Sequence, residues 1–107
     1  MSTEDQNDRL FKALGHRLRR QILDLLKGEP RTTGALCAAF PEVDRCTVMQ
    51  HLGVLEEAGL LIAKRVGRER WNHLNVLPIW DIHERWIGAY AAYAADRLGK
   101  LKLELDA

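Results

Sequence analysis

The stretch Arg45-Cys-Thr-Val-Met-Gln-His-Leu-Gly-Val-Leu-Glu-Glu-Ala-Gly-Leu-Leu61, followed by the basic turn Lys64-Arg-Val-Gly-Arg-Glu-Arg70, decides the reading of this chain. Val48, Leu52 and Leu55 recur at helical spacing and define one apolar face, with Ala58 beside it. Asp44 supplies an N-cap oxygen and Gly59 a stop, which predicts a helix over 44–58. Arg45, Cys46, Thr47, Met49 and Gln50 are left toward the outside. Leu60–Arg65 and Arg70–Asn75 are strand candidates around Gly67. Their alternation is imperfect, so a hairpin over 60–75 rests on the turn and on the β-formers Val66 and Trp71. A helix with a polar outer face running straight into a basic hairpin suits entry into a DNA major groove, with a wing against the backbone beside it.

Working back toward the N-terminus, Thr32 and Thr33 offer cap oxygens for a preceding helix that carries Leu36 and Phe40 and closes at Pro41. Leu18, Ile22 and Leu25, widened by Leu23 and Leu26, predict another. It ends where Gly28 makes a left-handed stop easy and Pro30 prevents continuation. Leu10, Phe11 and Leu14 form a short apolar stripe ending near Gly15. Residues 1–7 read as a loose polar tail. Toward the C-terminus, Pro78 suits a first helical turn. From Ile79, the residues Ile82, Trp86, Tyr90, Tyr93, Arg97, Leu101 and Leu105 recur at steps of three and four, with Ala94 and Leu98 thickening the seam. A single helix over 79–105, about 26 residues, would reach roughly 39 Å. That is longer than a domain of this size covers by itself. A monomer would leave a large apolar patch exposed, and aromatics such as Trp80, Trp86, Tyr90 and Tyr93 are common interface anchors. The expectation is one domain over 1–107, mainly α with a small β-hairpin wing, pairing as a homodimer.

Composition sets limits. The 107 residues are 47% hydrophobic and 29% charged, which is globular rather than disordered. The net charge is only +1, so any anion-binding surface must come from local segregation of charge. Lys64, Arg65, Arg68 and Arg70 against Glu69 alone, and Glu4, Asp5 and Asp8 at the start, show that segregation. No apolar run is long enough to span a membrane, and the start lacks the basic-then-apolar pattern of an export signal. A cytoplasmic location is expected, and with it free thiols at Cys37 and Cys46.

The wording of the sequence adds to this. Phe11-Lys-Ala-Leu-Gly-His-Arg-Leu-Arg-Arg-Gln-Ile-Leu23, Thr47-Val-Met-Gln-His-Leu-Gly-Val-Leu-Glu-Glu-Ala-Gly-Leu60 and Gly67-Arg-Glu-Arg-Trp-Asn-His-Leu74 resemble, in order and spacing, signatures of the ArsR-type bacterial repressors. The resemblance covers roughly residues 9–76. It departs at Arg17, where the family commonly has proline, and at a lengthened turn over Pro41–Val43. It implies a winged helix-turn-helix and a homodimeric repressor of transcription. The helix at 44–58 would read double-stranded DNA, and the first and last helices would form the interface. Leu10, Phe11, Leu14, Ile82, Trp86, Tyr90, Tyr93, Leu98 and Leu101 are the candidate interface residues.

Chemistry assigns the candidate DNA contacts. Arg45 suits a bidentate contact to guanine and Gln50 one to adenine. Thr47 reaches a phosphate or a thymine methyl, and Cys46 lies beside them. His51 matches the family's motif histidine and either touches backbone or packs. Thr32 and Thr33 stand at a helix N-terminus, a natural phosphate site. Arg65, Arg68 and Arg70 on the wing fit phosphates or the minor groove.

Many relatives release DNA on binding metal, but this chain fills the family's ligand positions only in part. A thiolate site needs a Cys-x-Cys pair, but Ala39 stands at the second position after Cys37. A site across the last helices starts well with Asp81 and His83, yet Ala94 and Arg97 fill its other two positions and neither ligates zinc. No metal or other cofactor is expected; Asp81 reads as a first-turn acid favoured by the helix dipole, and His83 as part of a polar face. A Cys37–Cys46 dithiol switch would need Cα atoms within about 7 Å. Cys37 reads as a small buried side chain and Cys46 as the accessible one.

No phosphate loop, zinc-protease motif or nucleophile elbow is present, so an enzyme is not expected. Three alternatives share the fold. One is a redox- or metal-responsive repressor. Another is a protein-interaction module, against which the exposed arginines argue. The third is a dimer sensing an unidentified small-molecule effector between its long helices, lined by Trp80, Trp86, Tyr90 and Tyr93.

Overall fold

The computed structural model describes residues 2–106. Helix α1 spans Thr3–Leu14 and α2 spans Arg17–Leu26. A short strand β1, Arg31–Thr32, leads into α3, Thr33–Ala38, and then α4, Arg45–Glu57. Strands β2, Leu61–Val66, and β3, Glu69–Leu74, form the hairpin. Helix α5, Leu77–Trp86, a 3-10 turn at Gly88–Tyr90, and α6, Ala91–Asp106, complete the chain. This is the winged helix-turn-helix arrangement, with α3 and α4 as the pair and β2–β3 as the wing. No helix is long and apolar enough to cross a membrane among the described residues.

The apolar faces read from the sequence meet as one core. Ile22 and Leu26 of α2, Leu36 of α3, and Val48, Leu52 and Leu55 of α4 are all buried, closed below by Leu60 and Leu61. Helix α4 stops in a glycine-dependent way. Gly59 takes φ +78°, its N–H donates to Glu56 O at 3.0 Å, and the Leu60 N–H donates to Leu55 O at 3.0 Å. That pair of bonds satisfies carbonyls the helix end would otherwise strand. Gly67, at φ +64°, is the first residue of a two-residue turn, the position at which such a hairpin favours glycine.

Four features differ from expectation. Residues 3–7 belong to α1: the Ser2 Oγ accepts from Asp5 N at 3.1 Å, and Glu4 and Asp5 sit in the first turn where the dipole favours them. Gly28 is not left-handed; α2 simply ends at Lys27 in right-handed geometry. The hairpin carries a third strand, because β1 pairs antiparallel with β3 through Arg31 opposite Asn72 and Thr32 opposite Trp71. Two residues are too few to show an alternation.

The last difference is the largest. The helix expected over 79–105 is broken. Gly88 at φ +55° ends α5, and the chain restarts as α6 after the 3-10 turn. Ile87 N–H donates back to His83 O at 2.8 Å as the closing bond of α5. Asp81 therefore lies beyond the first turn of a helix that starts at Leu77, and the dipole argument for it does not hold. The radius of gyration is 17.2 Å, against about 13 Å for a compact chain of this length. Helix α6 leaves Tyr93, Leu98, Leu101, Leu103 and Leu105 all exposed.

Candidate nucleic-acid interface

The entry to α4 is tightly specified. Asp44 caps it through Oδ1, which accepts from Thr47 N at 3.1 Å, and its Oδ2 accepts from the Thr47 hydroxyl at 2.9 Å. These two bonds, the hydroxyl first, hold the Asp44 carboxyl below its ordinary range. The Thr47 hydroxyl proton is thus already used within the helix start. Opposite the buried Val48–Leu52–Leu55 face, Cys46 and Gln50 are exposed, with Met49 on the flank; Arg45, in line with the buried stripe, is exposed because it opens the helix. Gly53 shares that face, and a Cβ there would meet nothing within 4 Å. Glycine inside a helix costs about 1 kcal/mol relative to alanine. Its effect here is to keep the middle of the exposed face flat, which the apolar periodicity does not reveal.

His51 lies at the flank of α4, half-buried. Its ring sits 4.3 Å from that of His16, centroid to centroid. Arg19 Nη1 lies 3.2 Å from His51 Nδ1. A guanidinium only donates, so Nδ1 accepts. Arg19 also donates to Ala13 O at 2.7 Å and Lys12 O at 3.0 Å, and Arg20 donates to Leu14 O at 2.7 Å. Part of this basic run therefore satisfies the last carbonyls of α1. His16 itself caps α2, its Nδ1 accepting from Leu18 N at 3.1 Å.

Burial, then the neighbouring His16 and Arg19, push the His51 pKa below its ordinary 6.5. A histidine depressed in the folded state contributes stability above its unfolded pKa and loses it as pH falls below that value. His51→Gln keeps an acceptor without the titration. The expected result is a smaller drop in the urea midpoint between pH 7.5 and pH 5 than wild type shows, measured by circular dichroism; an equal drop in both proteins would contradict it.

At the second helix start, Thr32 Oγ1 caps α3 by accepting from Ala35 N at 3.1 Å. Thr33 does not share the expected surface role. It is buried, and its Oγ1 accepts from Asn72 Nδ2 at 3.1 Å. The same amide donates to Arg31 O at 3.2 Å, so Asn72 pins the wing to the start of α3. On the wing, Lys64, Arg65 and Arg68 are exposed. The Arg70 guanidinium is paired with the Glu56 carboxylate on α4, its side chain partly exposed. Sequence reasoning could not find that contact, which joins two elements across Gly59.

The candidate pairing surface is mixed. Leu10 is buried at 2% exposure and belongs to the core of its own chain; Leu14 and Ile82 are half-buried against that core. Leu10 is not a free interface residue, because α1 turns it inward, while Leu14 and Ile82 keep part of their surface open. Phe11 and Trp86 instead stack, with centroids 6.1 Å apart, at the exposed edge between α1 and α5. Trp86, Tyr90, Tyr93, Leu98 and Leu101 are all exposed.

Both cysteines are free, Cys37 half-buried and Cys46 exposed. Among the described residues, no group of three or more His, Cys, Asp or Glu side chains is placed to hold a metal ion. His83 stacks on Trp80 at 5.2 Å, and its Nδ1 lies 3.3 Å from Glu84 Oε1.

The comparisons with known proteins agree with this geometry. A family model described as a helix-turn-helix domain matches residues 14–62. The chain is 35% identical, over 75% of its length and 94% of the relative's, to the uncharacterized HTH-type transcriptional regulator YuzN of Bacillus subtilis (strain 168). It is 33% identical to the transcriptional repressor SdpR of the same organism, over 67% of this chain and 79% of that one. Among solved structures, it is similar to the homodimeric winged helix-turn-helix DNA-binding domain of a possible ArsR-family transcriptional regulator from Mycobacterium bovis. The TM-score is 0.62 at 30% identity, covering 86% of this chain and 80% of that one. With a capped α4, exposed side chains on it and a basic wing in place, the chain belongs to the ArsR-type winged helix-turn-helix transcriptional regulators.

Proposed function

We propose that the protein is a homodimeric repressor that binds an inverted repeat in promoter DNA and blocks polymerase by occlusion. The observation that carries this reading is the exposed face of α4. Cys46, Gln50 and Gly53 lie on the side away from the core, with Met49 on the flank and Arg45 exposed at the helix start, beside a wing that exposes Lys64, Arg65 and Arg68. Arg45 reads a guanine and Gln50 an adenine. Thr47 contributes its methyl or remaining lone pair, and Thr32 and the wing cations lie on phosphates. A second copy covers the α5–α6 aromatics and the Phe11–Trp86 edge. The two recognition helices then face half-sites roughly 34–36 Å apart. The repressor relative and the homodimeric structural neighbour support this reading.

Selection from a randomised duplex pool tests it. The expected product is an inverted repeat with half-sites one helical turn apart; a pool without enrichment would contradict the proposal. On the selected duplex, Arg68→Ala should weaken binding to all sequences alike and reduce the slope of log affinity against log salt by about 1. An unchanged slope would remove Arg68 from the phosphate contacts.

A further inference from the structure

Three features converge on the junction between α4 and the wing. Glu56, in the last turn of α4, holds the guanidinium of Arg70 on β3. The Arg70 Nε is buried without a hydrogen-bond partner among the described residues, so the base of the guanidinium is packed against the junction while the side chain stays 35% exposed. Arg65 lies directly opposite Arg70 in the β2–β3 ladder. Like charges facing each other across a strand pair weaken the pairing. Glu56 neutralises one of these two cations and leaves Arg65 exposed as the other. An acid in the last turn of a helix is itself disfavoured by the dipole, and beside a DNA-binding face it repels phosphate. Both penalties argue that the carboxylate is there for its partner.

We propose that the Glu56–Arg70 pair is a strut between the recognition helix and the wing. It fixes the angle at which α4 and the exposed wing cations engage one duplex, and it makes Arg70 a positioning residue rather than a phosphate contact. Asn75 Nδ2, donating to Gly59 O at 2.9 Å, ties the other end of the same junction, where β3 leaves the wing. The strut rests on the DNA-binding reading above.

The test exploits opposing signs. Glu56→Gln removes a negative charge from the DNA-facing side, so simple electrostatics tightens binding. The strut requires the reverse: binding to the selected duplex becomes about five- to tenfold weaker. Glu57→Gln, the same charge change one residue on, should not weaken it. Exchanging the pair, Glu56→Arg with Arg70→Glu, should restore affinity to within about twofold of wild type, whereas Arg70→Glu alone should not. A Glu56→Gln protein that binds as well as or better than wild type overturns the strut, as does an exchanged pair no better than Arg70→Glu alone. Failure of the wild type to bind any duplex overturns the DNA-binding reading and the strut with it, so the two failures are told apart by the wild-type titration.

Discussion

Trp86→Glu combined with Tyr93→Glu is expected to convert the protein to a monomer and to cost about 10²- to 10⁴-fold in affinity for the selected inverted repeat. The size of the effect follows from geometry. A dimer that has docked one recognition helix holds the second near its half-site at a high effective concentration, and a monomer forfeits this without losing any single DNA contact. The two aromatics are chosen because they are exposed, at 62% each, and neither belongs to the core of its own chain. Their replacement should leave the core intact, which circular dichroism checks. Placing two carboxylates on each copy of an apolar interface leaves charges buried without partners, a cost that pairing cannot bear. Sedimentation equilibrium reads the oligomeric state and a titration reads the affinity. A variant that remains dimeric would move the interface away from α5 and α6. A monomer that binds as tightly as wild type would remove the two-half-site mechanism.

Arg45→Ala is expected to cost about 1–3 kcal/mol on the selected duplex and much less on a scrambled one. Arg45 is the first residue of α4, exposed, and positioned by the Asp44 cap. A side chain at the start of a recognition helix reaches base edges, and a bidentate arginine–guanine contact discriminates by that amount against the wrong base. The variant should therefore relax the sequence requirement at one position of each half-site. Equal losses on both duplexes would reassign Arg45 to the phosphate backbone. The contrast with Arg68 is the useful one: a base contact changes the ratio of specific to random binding, and a phosphate contact changes both together.

The parts of this architecture that follow local chemistry were legible in the chain. Asp44, Thr32 and Gly59 act where their side chains or lack of one suggest, and the Val48–Leu52–Leu55 face is the buried one. Helix α1 was harder, because Thr3–Asp8 offers no apolar period; its start depends on Ser2 and two acids that also fit a solvated tail. The break at Gly88 was masked for the opposite reason. Apolar residues continue at helical steps from Trp86 to Tyr90 and Tyr93, so the pattern runs through a turn that interrupts the helix.

The candidate site shows the same division. Exposure of Cys46 and Gln50 follows from which face of α4 is apolar, and that of Arg45 from its place at the helix start. The inward turn of Thr33 depends on Asn72, far along the chain, and the pairing of Arg70 with Glu56 depends on how the hairpin leans on the helix. Leu10 was misplaced because an apolar stripe does not say whether its cover is the same chain or another; here it is the same chain. Partners chosen by tertiary packing leave no periodic trace.

The most direct test of the central claim is a fluorescence-anisotropy titration of the reduced, chelator-treated protein. It would run on the selected duplex and on a scrambled duplex of equal length, repeated at rising salt and at stoichiometric concentration. The account predicts tight, salt-sensitive binding that prefers the selected duplex, saturating at two chains per duplex. Equal affinity for both duplexes, or saturation at one chain, would contradict it.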